Sequence, residues 1–214
     1  MARGRPPAHT RDQVVDAAIG IADAEGLGAV TMRRIAQQIG AGAMSLYTYV
    51  PDKDRLVDLM VDRVGATRTP VELTGDWRTD LLALARSQRS LMLAHPWLPA
   101  ALPNRRLTGR NMLAYLEQGL AALEPTGLGG PAKLEIVALV TGLVATFVTA
   151  EMAGSTPVPE QVALIGEAVA SGDFPQLGAV LAEGGQGSGE PDFDRLAAWT
   201  ITGLVSQAIG SLSS

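Results

Sequence analysis

Residues 31–53 read TMRRIAQQIGAGAMSLYTYVPDK, and this stretch decides the fold class. Thr31 is a strong N-cap, followed by the helix formers Met32, Arg33 and Arg34. Ile35 and Ile39 are four apart and share one helix face. Ala36 sits beside Ile35, where a crossing helix needs a small side chain. Gly40 is a helix stop, because left-handed backbone costs glycine little. Ala41 and Gly42 complete a short turn, and a second helix is expected over about 43–49. On that helix Leu46 and Val50 point inward, while Ala43, Met44, Ser45, Tyr47, Thr48 and Tyr49 point out. Pro51 ends it, since the residue before a proline avoids helical backbone. Asp52 can cap the next helix, and Lys53 opens it, placed for a phosphate. A helix, a tight turn and a second helix with an outward polar and aromatic face form a layout whose second helix enters the DNA major groove. A plain helical hairpin shows the same glycine break, so the flanking sequence must carry part of the reading.

The flanks do so. Residues 10–25 place Val14, Ala17, Ala18, Ile21 and Ala22 on one face of a preceding helix, and Gly26 and Gly28 then break the chain. A third helix is needed, because two bury too little surface to stand alone. Residues 53–66 form a further helix with Leu56, Val57, Met60, Val61 and Val64 on its inner side. The expected organisation is a basic arm and helix-turn-helix head over 1–52, a connecting helix over 53–68 and a helical domain over 69–214. The fold class is all-α.

The runs IADAEGLGAVTMRRIAQQIG and SLYTYVPDKDRLVDLM resemble the N-terminal domain of the tetracycline-repressor (TetR) family of bacterial regulators, over roughly residues 10–64. The resemblance implies a three-helix DNA-binding head, a larger helical ligand-binding and dimerisation domain, a homodimer and a small-molecule inducer. It implies phosphate contacts by Arg33, Tyr47, Tyr49 and Lys53, with Ala43, Met44, Ser45 and Thr48 near base edges. Ala43 and Met44 suit thymine methyls, and Ser45 and Thr48 can donate or accept. The chain departs from the family in two places. Ala41-Gly42 stands where Val-Ser is common, which leaves the second helix without a side-chain cap. Tyr49-Val50 stands where His-Phe is common, although the Tyr49 hydroxyl can still meet a phosphate.

The chain has 214 residues, 47% hydrophobic and 18% charged, which is a globular composition. Its net charge of −5 is unusual for a DNA binder, so the distribution matters. Residues 1–68 carry nine basic and eight acidic side chains, whereas 69–214 carry eight and fourteen. Arg3 and Arg5, beside Gly4 and Pro6-Pro7, read either as an arm near the minor groove or as a solubilising tail. There is no cysteine, hence no disulfide or thiolate metal site. The N-terminus lacks the apolar region of a secretory signal. The apolar run over 136–150 is shorter than the ~18–20 residues of a membrane span. A cytoplasmic protein without membrane contact is expected.

Beyond the head, residues 77–94 form an amphipathic helix with Leu81, Leu84, Ala85, Gln88, Leu91 and Met92 near one face. Helices are also expected over 108–123, 132–152 and 158–171, with a short one after Phe174-Pro175 and a last one over 193–213. The 132–152 helix is apolar nearly all round, so it needs cover on more than one side. With 193–213 it is the candidate pair for a homodimer. The 183–192 stretch, EGGQGSGEPD, is a glycine-rich loop.

Candidate ligand-pocket residues are Met92, Trp97, Leu102, Asn111, Met112, Tyr115, Thr141, Phe147 and Glu151. Their chemistry suits a largely apolar organic inducer. DWRTDLLALARSQRSLMLAHPWLP also resembles the C-terminal domain of the tetracycline-repressor subgroup. Only His9 and His95 are available as imidazoles, so a metal-chelated inducer is not expected, and neither a metal site nor a cofactor is assigned. The chain lacks a GxSxG motif, paired helical histidines and a phosphate-cradling loop, so there is little catalytic equipment and an enzyme is not expected. A helical small-molecule-binding or protein-interaction module whose head has lost DNA binding remains the alternative.

Overall fold

The computed structural model describes residues 9–102, 109–154, 159–184 and 192–211. The basic arm at Arg3 and Arg5, Pro103, most of the glycine-rich loop and the last turn expected to reach 213 lie outside the described residues. Among the described residues the regular elements are all helical. The head contains α1 (Arg11–Glu25), α2 (Met32–Ile39) and α3 (Ala43–Leu46), and α4 (Lys53–Gly65) leaves it. The distal helices are α5 (Trp77–Ala94), α6 (Leu98–Ala101), α7 (Arg110–Ala122), α8 (Gly130–Ala153), α9 (Pro159–Ala170), α10 (Pro175–Gly184) and α11 (Phe193–Gly210).

Local chemistry sets the head's boundaries. Thr10 and Gln13 form a reciprocal capping box on α1. The Thr31 hydroxyl accepts from Arg34 N at 3.1 Å and starts α2. Gly40 ends α2 at φ 68°, a left-handed backbone that would strain any residue with a Cβ. The Ala41 amide then donates to Ala36 O. Val14, Ala18, Ile21, Ile35, Leu46 and Val50 are buried together. Truncating one of the larger ones, such as Ile35→Ala, would cost about 2–5 kcal/mol.

α3 is shorter than the sequence reading, ending at Leu46 rather than 49. Thr48 N donates to Ser45 O and Tyr49 N to Leu46 O, so the chain tightens into a turn. Pro51 pushes Val50 out of helical backbone, and this tightening lets Val50 still reach the core.

α4 packs on α1 of the head and on α6 and α7 of the distal helices. α5, α8 and α11 pack on one another, with α7 against α5 and α8. A Cβ on Gly119 of α7 would come 2.7 Å from Val137 Cγ2 of α8, so this close crossing requires glycine. α9 and α10 pack against each other.

α8 has 24 residues and extends beyond the expected 132–152. By length and composition alone it could cross a membrane. One face of it is packed, with Ile136, Val137, Val140, Val144 and Val148 buried where it meets α5, α7 and α11, while Leu134 and Leu139 are exposed. Lys133 near its start is also buried and pairs with Glu124.

Candidate DNA-reading surface and effector cavities

The second helix of the turn presents the expected face. Met44 is 80% exposed, an unusual position for a large apolar side chain, and Tyr47 is 47% exposed. Ser45 and Thr48 are also exposed, while Ala43 and Tyr49 are half-buried. Arg33 on α2 and Lys53 at the start of α4 are exposed on the flanking elements. Asp52 caps α4 by accepting from Arg55 N at 2.7 Å, which fixes where Lys53 begins. The Ser45 hydroxyl donates to Gly42 O and the Thr48 hydroxyl to Ser45 O, each at 2.6 Å. Both hydroxyls thus spend their protons on the backbone and offer lone pairs outward. Gly42 supplies no side-chain cap to α3, as its sequence implies.

The head is tied to the rest of the chain by polar contacts. Arg63 of α4 pairs with Asp16 of α1 at 3.0 Å, with Asp12 at 3.9 Å. Asp23 of α1 accepts from Trp97 Nε1 at 2.7 Å and meets His95 Nδ1 at 2.9 Å. Asp62 of α4 accepts from the amides of Asn111 and Met112, at 2.8 and 3.3 Å. The Asn111 side-chain amide donates to Asp62 O at 3.0 Å. α7 therefore receives its N-terminal cap from another helix, its own Gly109 having no side chain to give. A Cβ on Gly109 would overlap the Asp62 carboxylate. These ties involve partners far apart in sequence, and the sequence reading did not anticipate them.

Two cavities flank α5. The larger, about 660 Å³, is bordered by Arg86, Arg89, Leu143, Phe147, Glu151 and Phe193. That volume lies within the range of small-molecule sites. Arg86 grips Asp194 with two bonds of 2.8 and 2.9 Å. This hydrogen bonding raises the guanidinium's pKa and holds the Asp194 carboxyl below its ordinary value. Arg89 pairs with Glu151 at 2.6 Å and lies over the Phe193 ring. Phe147 and Phe193 meet edge to face, with centroids 5.4 Å apart. The smaller cavity, about 10 Å³, lies where α4, α5, α6 and α7 meet.

The nine candidate pocket residues divide between these places. Phe147 and Glu151 border the larger cavity. Leu102, Asn111, Met112 and Tyr115 border the smaller one. Thr141 accepts from the Tyr115 hydroxyl at 2.8 Å while donating its own proton to Val137 O. Met92 is enclosed in the core, and Trp97 is spent on Asp23. Arg86, Arg89 and Phe193, which border the larger cavity, were not among the sequence candidates. An arginine at helical spacing reads as a solvated face until its partner helix is known. Asp80 is another such residue: it is buried and accepts from Thr74 N, Thr74 Oγ1 and Gly75 N, folding residues 74–75 back onto α5. No group of three or more potential metal ligands gathers among the described residues.

Comparison with known proteins agrees with this arrangement. Residues 14–60 match the family of bacterial regulatory proteins, tetR family. Residues 69–195 match the tetracyclin repressor-like, C-terminal domain. The chain is 38% identical over 205 residues to the HTH-type transcriptional repressor DrrR1 of Streptomyces coeruleorubidus, covering 90% of this chain and 74% of that protein. It is 35% identical to an HTH-type transcriptional regulator of Saccharopolyspora erythraea, covering 94% and 87%. Apo ActR from Streptomyces coelicolor superposes with a TM-score of 0.81 at 29% identity, over 97% of this chain and all of that one. The chain belongs to the TetR family of bacterial regulators and carries both its helix-turn-helix head and its repressor-like C-terminal domain.

Proposed function

We propose that this protein is a ligand-responsive, DNA-binding transcriptional repressor that a small, largely apolar organic inducer releases from its operator. The single observation that carries the DNA-binding part is the outward face of α3, with Met44 and Tyr47 held out to solvent beside exposed Arg33 and Lys53. Arg33, Tyr47, Tyr49 and Lys53 contact phosphates, and Ala43, Met44, Ser45 and Thr48 face base edges.

The protein acts as a homodimer through 132–152 and 193–213. Leu134 and Leu139 on α8 and Trp199 on α11 support this, being exposed apolar groups on the two candidate helices. Two-fold symmetry then sets two α3 helices on half-sites one helical turn apart, about 34–36 Å. The work is done in the cytoplasm, where the operator is, without membrane contact.

ActR has been solved in complex with (S)-DNPA and with actinorhodin, which supports an organic inducer for this chain. The inducer's body occupies the distal helices, and α4 carries the effect to the head, as its ties to α1 and α7 suggest. Coupling of ~1–3 kcal/mol would be typical. The domain division at 52 and 68 follows from the same reasoning.

Fluorescence anisotropy on the duplex upstream of its own gene, against a scrambled duplex and over a salt series, tests the reading. Tight, selective and salt-sensitive binding is expected, and Tyr47→Ala with Lys53→Ala should weaken it. Equal weak binding to both duplexes, with no selective site recovered from a random-sequence library, would refute it in favour of a carrier without DNA binding.

A further inference from the structure

Arg68 follows α4 and faces the smaller cavity. Its Nη2 donates to Gln118 Oε1 at 2.8 Å, and its guanidinium lies 5.0 Å from the centre of the Tyr115 ring. Its Nη1 is buried and has no hydrogen-bond partner among the described residues. No described carboxylate lies within ion-pair distance of it. The acceptors nearby do not reach it: Gln118 Oε1 takes Nη2, and neither that oxygen nor the Tyr115 hydroxyl, which is engaged with Thr141, forms a bond with Nη1.

Arg68 as a whole is half-buried, but a charged donor shut off from water with no partner is costly unless something else supplies one. Burial lowers the guanidinium's pKa, but an arginine stays protonated, so the charge persists. The cavity holds one water at most, since a water needs about 10–15 Å³. A single water leaves the charge unneutralised. The remaining wall is apolar or amide in character: Leu98, Leu102, Met112 and Asn111.

We propose that the seam between α4 and α7 is an effector site whose ligand presents an anionic oxygen, a carboxylate or a phenolate, to Arg68 Nη1. This rests on the ligand-responsive reading above and specifies the chemistry its effector must carry. The site is separate from the larger cavity, because Gln88 and Leu91 border it while Arg86, Arg89 and Ser90 border the other. Spacing along α5 puts these two sets on opposite faces of one helix. The closed seam is too small for an organic ligand, so binding must part α4 from α7. Asp62 bridges these two helices, and Arg63 next to it holds α1 of the head. Opening the seam therefore displaces the head directly.

The test uses the full-length protein and pairs of aromatic probes that differ only in charge: 2-naphthoate with 2-naphthamide, and anthracene-2-carboxylate with its carboxamide. Calorimetry measures binding to the wild type, Arg68→Met and Arg68→Lys, with thermal melts confirming that each variant folds. At least one carboxylate should bind the wild type about 10- to 100-fold more tightly than its amide, the range for a hydrogen bond to a charged group. Arg68→Met should abolish that preference while leaving amide binding alone, and Arg68→Lys should restore part of it. If no carboxylate is preferred over its amide, or if Arg68→Met keeps the preference, the proposal is overturned. Anisotropy on the upstream duplex without any probe runs alongside. Intact DNA binding with no carboxylate preference refutes the anion site alone, whereas absent DNA binding refutes the wider function and leaves calorimetry to judge Arg68.

Discussion

Replacing Asp62 with alanine removes the cap of a helix that begins nearly fifty residues later. In the wild type the carboxylate accepts from the amides of Asn111 and Met112. Loss of an N-cap acceptor typically costs ~1 kcal/mol, within a range of about 0.5–2. Loss of a negative charge at a helix N-terminus adds about 0.3–1 kcal/mol. The Asn111 side chain also loses a bond of 3.3 Å to Asp62 Oδ2, though it keeps its bond to the Asp62 carbonyl. The total is about 2 kcal/mol. For a chain of this size each kcal/mol moves the melting temperature by about 2–4 °C, so Asp62→Ala should melt about 4–8 °C lower. The urea midpoint should fall with an unchanged slope, because the folded surface is the same. Asp62→Asn keeps an acceptor oxygen and loses the charge, so it should lie between. Gly109→Ala should destabilise by the same route, since its methyl displaces the carboxylate. Inducer response is a second readout: with α4 uncoupled from α7, the ratio of operator affinities with and without inducer should shrink towards one. A melt of Asp62→Ala within about 1 °C of wild type would show that the inter-helix cap carries none of the assigned energy.

Three further outcomes are expected. Lys53→Ala should weaken operator binding at low salt and flatten the slope of log K against log salt by about 0.9, the value for one phosphate contact; an unchanged slope would remove Lys53 from the interface. Leu139→Arg on the exposed side of α8 should convert a dimer to a monomer in light scattering and lower operator affinity, and a persistent dimer would exclude that face. Asp194→Asn tests the Arg86 pair through pH. The Asp194 carboxyl is held below its ordinary value by Arg86, so its folded pKa lies below its unfolded one. Its contribution is present above about pH 4 and is lost as pH falls through the folded value. Asp194→Asn should flatten that acid limb slightly, since the pair is half-exposed and well screened. An acid limb steeper than in wild type would contradict the sign.

Much of the fold was legible because its signals are local. A cap such as Thr31 lies three residues from the amide it serves, and Gly40 ends α2 by its own backbone freedom. The period of Leu81, Leu84, Ala85, Gln88, Leu91 and Met92 marks the buried face of α5, and all six are buried. The end of α3 was less legible, because a proline excludes the helical region without dictating which turn replaces it. For the effector region the sequence named aromatic, methionine and polar residues of suitable chemistry, but it had no means of sorting them between two cavities on opposite faces of α5.

The sequence by itself determined the helical periods, the caps, the tight turn at Gly40 and the outward face of α3. Each depends on residues within about one or two helical turns of one another, whose relation the backbone geometry sets in advance. Tertiary structure alone decided that Asp62 caps α7, that Asp23 holds Trp97, that Asp80 is buried and holds residues 74–75, and that Arg68 Nη1 is enclosed without a partner among the described residues. The energy of a charged group depends on what surrounds it in three dimensions, and those neighbours come from distant parts of the chain. An aspartate or arginine on a polar helix face reads the same in sequence whether water, another helix or an unfilled cavity lies opposite.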